Sequence, residues 1–134
     1  MAEQTNGVRS GRGTRDRIAM GIMILAALGA FYSMVTGVGV AIDAGLDTQQ
    51  VEWWRVFGFL MFTGIFVMLA IGPRRYPGLW ELVILDKAAL TIAEVLLIGK
   101  NAADAMNTAV ADGILVVLLV AAYLLSRGYA SWRR

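Results

Sequence analysis

Four apolar runs, separated by short polar or turn-forming stretches, organise this chain. Residues 18–42 contain no charged side chain and are long enough to cross a bilayer with some tilt. A secretory signal would have a shorter apolar core and a small-residue cleavage site, and "AIDAG" matches that pattern weakly, so this run reads as a span. The second run, residues 53–72, is "WWRVFGFLMFTGIFVMLAIG". The third covers residues 79–99 and the fourth residues 102–126. Both prolines of the chain, Pro73 and Pro77, fall with Gly72 and Gly78 in "IGPRRYPG", which predicts a turn between the second and third runs. "IGKNAAD" is so short that the third and fourth runs should be antiparallel neighbours. Residues 1–17 are polar and rich in Gly and Arg, and read as a disordered tail; residues 129–134 read as a basic C-terminal tail. The expected fold is therefore all-α: an integral-membrane four-helix bundle over residues 18–128.

The third run breaks its own pattern. "LVILDKAALTIAEVLLIGK" places Asp86, Lys87 and Glu94 inside an otherwise apolar segment. Turned into a helix, Asp86, Lys87, Thr91 and Glu94 share a face roughly 140° wide, with Leu82, Leu85, Ala89, Ile92 and Leu96 on the other side. In the fourth run Asp104, Asn107, Thr108 and Asp112 follow an i, i+3, i+4, i+8 stripe that continues as Leu115 and Leu119. At about 1.5 Å per residue, Asp112 lies near the level of Asp86 and Lys87, and Glu94 near that of Asn107. Arg55 enters from the outer end of the second run. The charges should thus converge between helices in a polar pocket open towards the outer side.

Composition supports the membrane class. Hydrophobic residues make up 58% of a 134-residue chain and charged residues only 16%, more apolar surface than so short a soluble domain can hide. The basic residues lie mainly at the termini and in one loop: Arg9, Arg12, Arg15 and Arg17, then Arg74 and Arg75, then Arg127, Arg133 and Arg134. With four spans all these clusters fall on one side, so both termini are expected in the cytoplasm of a multi-pass cell-membrane protein. That placement speaks for topology rather than nucleic-acid binding. Trp53, Trp54, Tyr76, Trp80, Tyr129 and Trp132 fall near the expected interfaces, as an aromatic belt would.

The absence of His and Cys limits the chemistry. It removes the commonest metal ligands, thiolate chemistry and the commonest general base. No metal or cofactor is implied, and acid–base work falls to carboxylates. Asp86, Glu94, Asp104 and Asp112 outnumber Lys87 and Arg55, so part of the set lacks a protein cation. An unpaired carboxylate in apolar surroundings takes up a proton and becomes a ready acid. Such pairs also serve as glue between helices, with Lys87–Asp112 and Arg55–Glu94 as candidate pairs. Aromatic residues crowd the second run, and Tyr32, Trp54, Phe57 and Phe62 are candidates to line an apolar ligand pocket and stabilise positive charge.

"WWRVFGFLMFTGIFVMLAIGPRRYPG" and "DGILVVLLVAAYLLSRG", with an acidic first loop, resemble the small four-helix DoxX-like membrane proteins over roughly residues 18–128. That resemblance implies the fold. In chemistry type the chain is more distantly similar to membrane-embedded sterol isomerases and small integral-membrane terpene cyclases. Those use buried acids and aromatic walls on prenyl-derived substrates, although the sterol isomerases also use His. Small multidrug transporters are similar in size but carry a Glu in the first span, absent here.

The functional expectation is a cofactor-independent membrane isomerase, cyclase or epoxide-opening lyase or hydrolase acting on a lipophilic, isoprenoid-like substrate. Glu94 or Asp112 would be the general acid, and Asp86 or Asp104 would orient it or accept a proton. Arg55, Lys87, Asn107 and Tyr32 would position polar atoms, with Trp54, Phe57 and Phe62 as the wall. The alternatives are a small proton- or cation-coupled transporter, as a homo-oligomer, and a non-catalytic assembly subunit of a membrane complex.

Overall fold

The computed structural model describes residues 13–100 and 105–133. The described residues are helical and contain no strand: α1 (Thr14–Asp43), α2 (Leu46–Ile71), α3 (Leu79–Ile98), α4 (Ala105–Ser126) and a terminal 3-10 helix, Gly128–Arg133. Helices α1, α2 and α4 are long and apolar enough to cross a membrane, judged by length and composition. Helix α3 has sufficient length, about 30 Å at 1.5 Å per residue, but carries Glu81, Asp86, Lys87 and Glu94 along it.

Two boundaries differ from the apolar pattern, and for the same reason. Helix α1 begins at Thr14, within the stretch read as a tail, where the Arg17 amide bonds the Gly13 carbonyl at 3.1 Å. Asp16 lies in that first turn, where a negative charge complements the exposed amides. Helix α2 begins at Leu46, seven residues before the apolar run, with the Thr48 and Gln49 amides bonded to the Gly45 carbonyl. The Gln49 side chain reaches back to the Ala41 carbonyl at 3.2 Å and ties this start to the end of α1. Polar turns continue a helix without any apolar signal, so hydropathy alone under-reads both ends. Residues 1–12 lie outside the described residues.

Helix α1 packs along α2 and α4, and α3 packs along α4. The core follows from a stripe on α1: Ala19, Met23, Ala27 and Ala30 are buried at helical spacing. Three of these four are alanines, which let neighbouring backbones approach closely. Against them sit Phe66, Leu69 and Ala70 of α2, Trp80 and Val83 of α3, and Leu119 and Ala122 of α4. These positions lie near the start of α1 and α3 and the end of α2 and α4, so the core occupies one half of the molecule. Outward-facing side chains are apolar on every helix; Leu25, Leu85, Leu96 and Val117 are each at least 65% exposed.

The packed half is closed at its end by polar contacts. Arg74, in the α2–α3 turn, donates to both Asp16 oxygens at 3.1 and 3.2 Å and to the Ser126 carbonyl at 2.8 Å. The start of α1, the α2–α3 turn and the end of α4 therefore meet at one end. Trp80, expected in an interfacial belt, is fully buried here and donates from its indole to the Pro73 carbonyl at 2.7 Å. The neighbouring Gly78 adopts φ 83, a left-handed conformation that glycine reaches without steric cost. Residues 129–133, read as a basic tail, fold back with Gly128 as the 3-10 helix, which buries Gly128 and Ser131.

Gly128 is the tightest point of that closure. A methyl group there would lie 2.7 Å from Trp80 Cδ1 and Nε1 and from Tyr123 Cδ2. Gly128→Ala should therefore destabilise the protein by about 1–3 kcal/mol, the usual cost of overpacking. Gly58→Ala on α2 meets nothing within 4 Å. It should leave stability unchanged or raise it by up to about 1 kcal/mol, the helix-propensity difference. Thermal unfolding of the two variants in detergent checks the contrast, and equal midpoints would refute it.

Candidate functional site

Lys87 sits inside the bundle, 6% exposed, at the middle of α3. The next turn is tied to it, because the Thr91 hydroxyl donates to the Lys87 carbonyl at 2.8 Å. Its ammonium is 3.8 Å from Asp112 Oδ1 on α4 and 3.8 Å from Asp86 Oδ2 on its own helix. It also lies 4.0 Å from the centroid of the Phe62 ring on α2. One cation thus engages three helices. Both ion-pair distances exceed ordinary hydrogen-bond length, so the ammonium is held by electrostatic attraction and by the face of an aromatic ring.

Glu94 lies seven residues further along α3, roughly 10 Å along the axis. Its side chain is half-buried, and Oε2 is buried with no hydrogen-bond partner. Asp112, Lys87 and Arg55 are all within its electrostatic reach. The α3–α4 contact beside it is close: a methyl on Gly113 would touch Thr91 Cγ2 at 3.7 Å. The arrangement holds an ion-paired carboxylate, Asp112, and a carboxylate with one buried, unbonded oxygen, Glu94, along one interior seam. A group that can give a proton and a group that can take one are the two parts of acid–base chemistry.

The expected stripes are partly assembled. On α3, Leu82, Leu85, Ala89, Ile92 and Leu96 are exposed while Lys87, Thr91 and Glu94 turn inward. Asp86 keeps contact with Lys87, but its side chain is 46% exposed. Consecutive helical residues point about 100° apart, so Asp86 and Lys87 cannot both face inward. On α4, Asp112 and Thr108 are half-buried and Asn107 is exposed. Asn107 sits about 140° around the helix from Asp112, at the edge of its stripe, whereas Thr108 is about 40° away. Asp104 lies outside the described residues.

The proposed aromatic wall does not form. Tyr32, Trp54 and Phe57 are 70%, 72% and 60% exposed and face outward. Only Phe62 of that set turns to the centre, and its ring face already meets Lys87. Arg55 pairs with Glu52 one turn earlier on α2, at 3.1 Å, rather than bonding Glu94. Lys87–Asp112 is the anticipated pair that forms across helices.

A second polar cluster escaped the sequence reading. Glu81 Oε1 accepts from the Tyr123 hydroxyl at 2.8 Å and from the Trp132 indole at 3.0 Å. The Tyr123 ring packs against Trp80 and Tyr129. Glu81 thereby anchors the terminal 3-10 helix to α3 and α4. The available signal was an acid in the first turn of α3, close to arginines in an otherwise basic end.

The Lys87 centre makes a specific stability prediction. Removing one member of a buried pair strands the other charge, at a cost of about 3–5 kcal/mol, whereas replacing both with apolar residues is often neutral. Lys87→Met should lower stability sharply, and Lys87→Met with Asp112→Leu should recover most of the loss. Unfolding midpoints of the wild type, both single variants and the double variant close the cycle; purely additive effects would show that the pair is not coupled.

Comparison with protein-family models, curated proteins and solved structures gave no match.

Proposed function

We propose that this chain is a four-span membrane protein, with both termini cytoplasmic, that performs cofactor-independent acid–base chemistry on a lipophilic substrate. Support for four spans comes from two sides. Arg74, Asp16 and Ser126 meet at one end, as an even number of crossings requires. Helix α3 also turns leucines and isoleucines outward while drawing Lys87 inward, as a span buried on its polar face does. The arginine-rich end is assigned to the cytoplasm.

The observation that carries the chemical reading is the buried, unbonded oxygen of Glu94 beside the Lys87–Asp112 pair. Glu81 Oε2 is also buried without a partner, but it belongs to a carboxylate held by Tyr123 and Trp132 at the end of the bundle, whereas Glu94 lies beside an interior ion pair. Glu94 is the general acid of this reading, and Asp112, held by Lys87, is the matching base. In a double-bond isomerisation Glu94 gives its proton to one alkene carbon, and Asp112 removes a proton from the allylic carbon. Proton exchange between the two carboxylates restores the starting state. Epoxide opening would use the same acid, with water as the nucleophile. Because Tyr32, Trp54 and Phe57 face outward, a short proton transfer suits this interior better than a cyclisation through long-lived cations.

The packed half argues against a transporter. Met23, Phe66, Leu69, Trp80 and Leu119 are all 0–1% exposed, so the described residues at the middle of that half form a close-packed apolar layer.

Two experiments test these readings. Cysteines at Asp47 and Lys100 should label from outside intact cells, and a cysteine at Arg75 only after permeabilisation; labelling of Lys100→Cys together with Arg75→Cys would remove α3 as a span. For the chemistry, protein in liposomes containing isoprenoid alkenes is incubated in D2O, and deuterium in the recovered lipid is read by mass spectrometry. The wild type should incorporate deuterium, and Glu94→Gln should slow incorporation by about 10² or more at unchanged thermal stability. No incorporation by the wild type, or full incorporation by Glu94→Gln, overturns the assignment.

A further inference from the structure

A cleft of about 210 Å³ opens between α1 and α2, lined by Ser33, Thr36, Gly37, Glu52, Arg55 and Phe59 among others. Its lining comes from α1 and α2, whereas the ion pairs of the Lys87 centre lie on α3 and α4; Arg55, whose charge also reaches Glu94, is the link between the two. The acid–base reading does not use it.

Its chemistry divides into two parts. Arg55 uses a single nitrogen, Nη1, to meet both Glu52 oxygens, at 3.1 and 3.2 Å. A guanidinium has five N–H donors in a fork that matches phosphate, and this pair engages one nitrogen of that fork. The Arg55 side chain is 55% exposed, so the fork is reachable. The second part is a set of acceptors. Glu52 is a carboxylate whose side chain is only 20% exposed. Thr36 spends its hydroxyl proton on the Tyr32 carbonyl at 3.0 Å, which leaves its oxygen lone pairs as acceptors. A phosphate donor and a group of acceptors stand side by side, with the apolar Phe59 ring as a third wall. Gly37 lets α1 and α2 approach closely at the base of the cleft; a methyl there would lie 3.2 Å from Val56 Cγ2.

Position selects the ligand further. Arg55 follows Trp53 and Trp54, residues of the type that settles at a membrane–water interface, and Phe57 beside them is 60% exposed. In the four-span reading, on which this inference rests for its depth, the cleft lies at the outer interface and opens towards lipid headgroups.

The geometry points to a binding site for a phosphate group joined to a primary ammonium, carried on a membrane lipid: a phosphatidylethanolamine headgroup. Phosphate oxygens accept from the Arg55 donors that Glu52 does not engage. The ammonium donates its N–H groups to Glu52 and Thr36. This division makes the site selective. Choline carries methyl groups and has no N–H to give. Glycerol carries no charge to meet Glu52. An anionic headgroup without an ammonium would set its charge against the Glu52 carboxylate.

Native mass spectrometry of the protein released from detergent micelles, with dioleoyl lipids added one class at a time, tests this. Phosphatidylethanolamine should be retained about tenfold or more in preference to phosphatidylcholine and phosphatidylglycerol, the difference expected from a charge-assisted hydrogen bond. Arg55→Gln and Glu52→Gln should each lower that retention about tenfold, and Thr36→Val should lower it less. Equal retention of the three lipid classes by the wild type overturns the site, and that comparison needs no variant to fold. Unchanged retention in folded Arg55→Gln and Glu52→Gln also overturns it. Displacement of the lipid by free O-phosphoethanolamine at equal concentration overturns the lipid as the source. The readout is independent of catalysis, so failure of the deuterium assay and failure of this ranking are separable.

Discussion

One buried ammonium sets the terms for the centre of this protein. Lys87 lies in a helix whose other inward positions are mostly apolar, and its charge cannot be left there without compensation. Compensation comes from three directions: Asp112 on α4, Asp86 on α3 and the ring of Phe62 on α2. Each partner constrains the rotation of its own helix. Because α3 must present Lys87 inward, Leu82, Leu85 and Ile92 must face outward. Because α4 must present Asp112 to Lys87, Asn107 is carried to the outside. The cost of an unpaired interior charge thereby becomes a rule of register for the helices around it.

The two halves of the molecule answer different demands. The half near the arginines is built from small residues on α1 and large ones opposite, and is stitched shut by Arg74, Trp80, Glu81 and Tyr123. The Arg74–Ser126 and Glu81–Tyr123 bonds join residues far apart in sequence, which makes the closure specific. The other half carries the looser chemistry: Glu94 with its unbonded oxygen, and the α1–α2 cleft with Arg55 and Glu52. A rigid end that supports a more open end is a physically sensible way to hold reactive or ligand-binding groups.

The aromatic residues show how the surroundings change the reading of a side chain. Tyr32, Trp54 and Phe57 face outward, where a soluble protein would bear a penalty. In a bilayer that position costs little, because lipid chains are as apolar as a protein interior. Apolar bulk therefore has no drive to turn inward, and the interior is chosen by polar groups that lipid cannot satisfy. Trp80 is buried by the same logic: its indole N–H has a fixed acceptor in the Pro73 carbonyl.

Much of this was legible in the sequence. Among the described residues, the apolar runs located the long helices, the Pro–Gly turn located the α2–α3 connection, and 3.6-residue periodicity turned Lys87, Glu94 and Asp112 inward. These features are local or periodic, and one segment contains all the information they need. What the sequence left open depends on contacts between segments. The distance that keeps Glu94 from bonding Arg55, and leaves Arg55 to its i,i+3 neighbour Glu52, is set by how α2 and α3 are placed. The fold-back of residues 128–133 is decided by the Glu81 carboxylate, which is distant in sequence and adjacent in space. The Lys87–Phe62 contact is decided by the approach of α2 to α3. Hydrophobic period specifies the face a helix turns inward, whereas the partner that meets that face is chosen by packing, which only the tertiary structure contains.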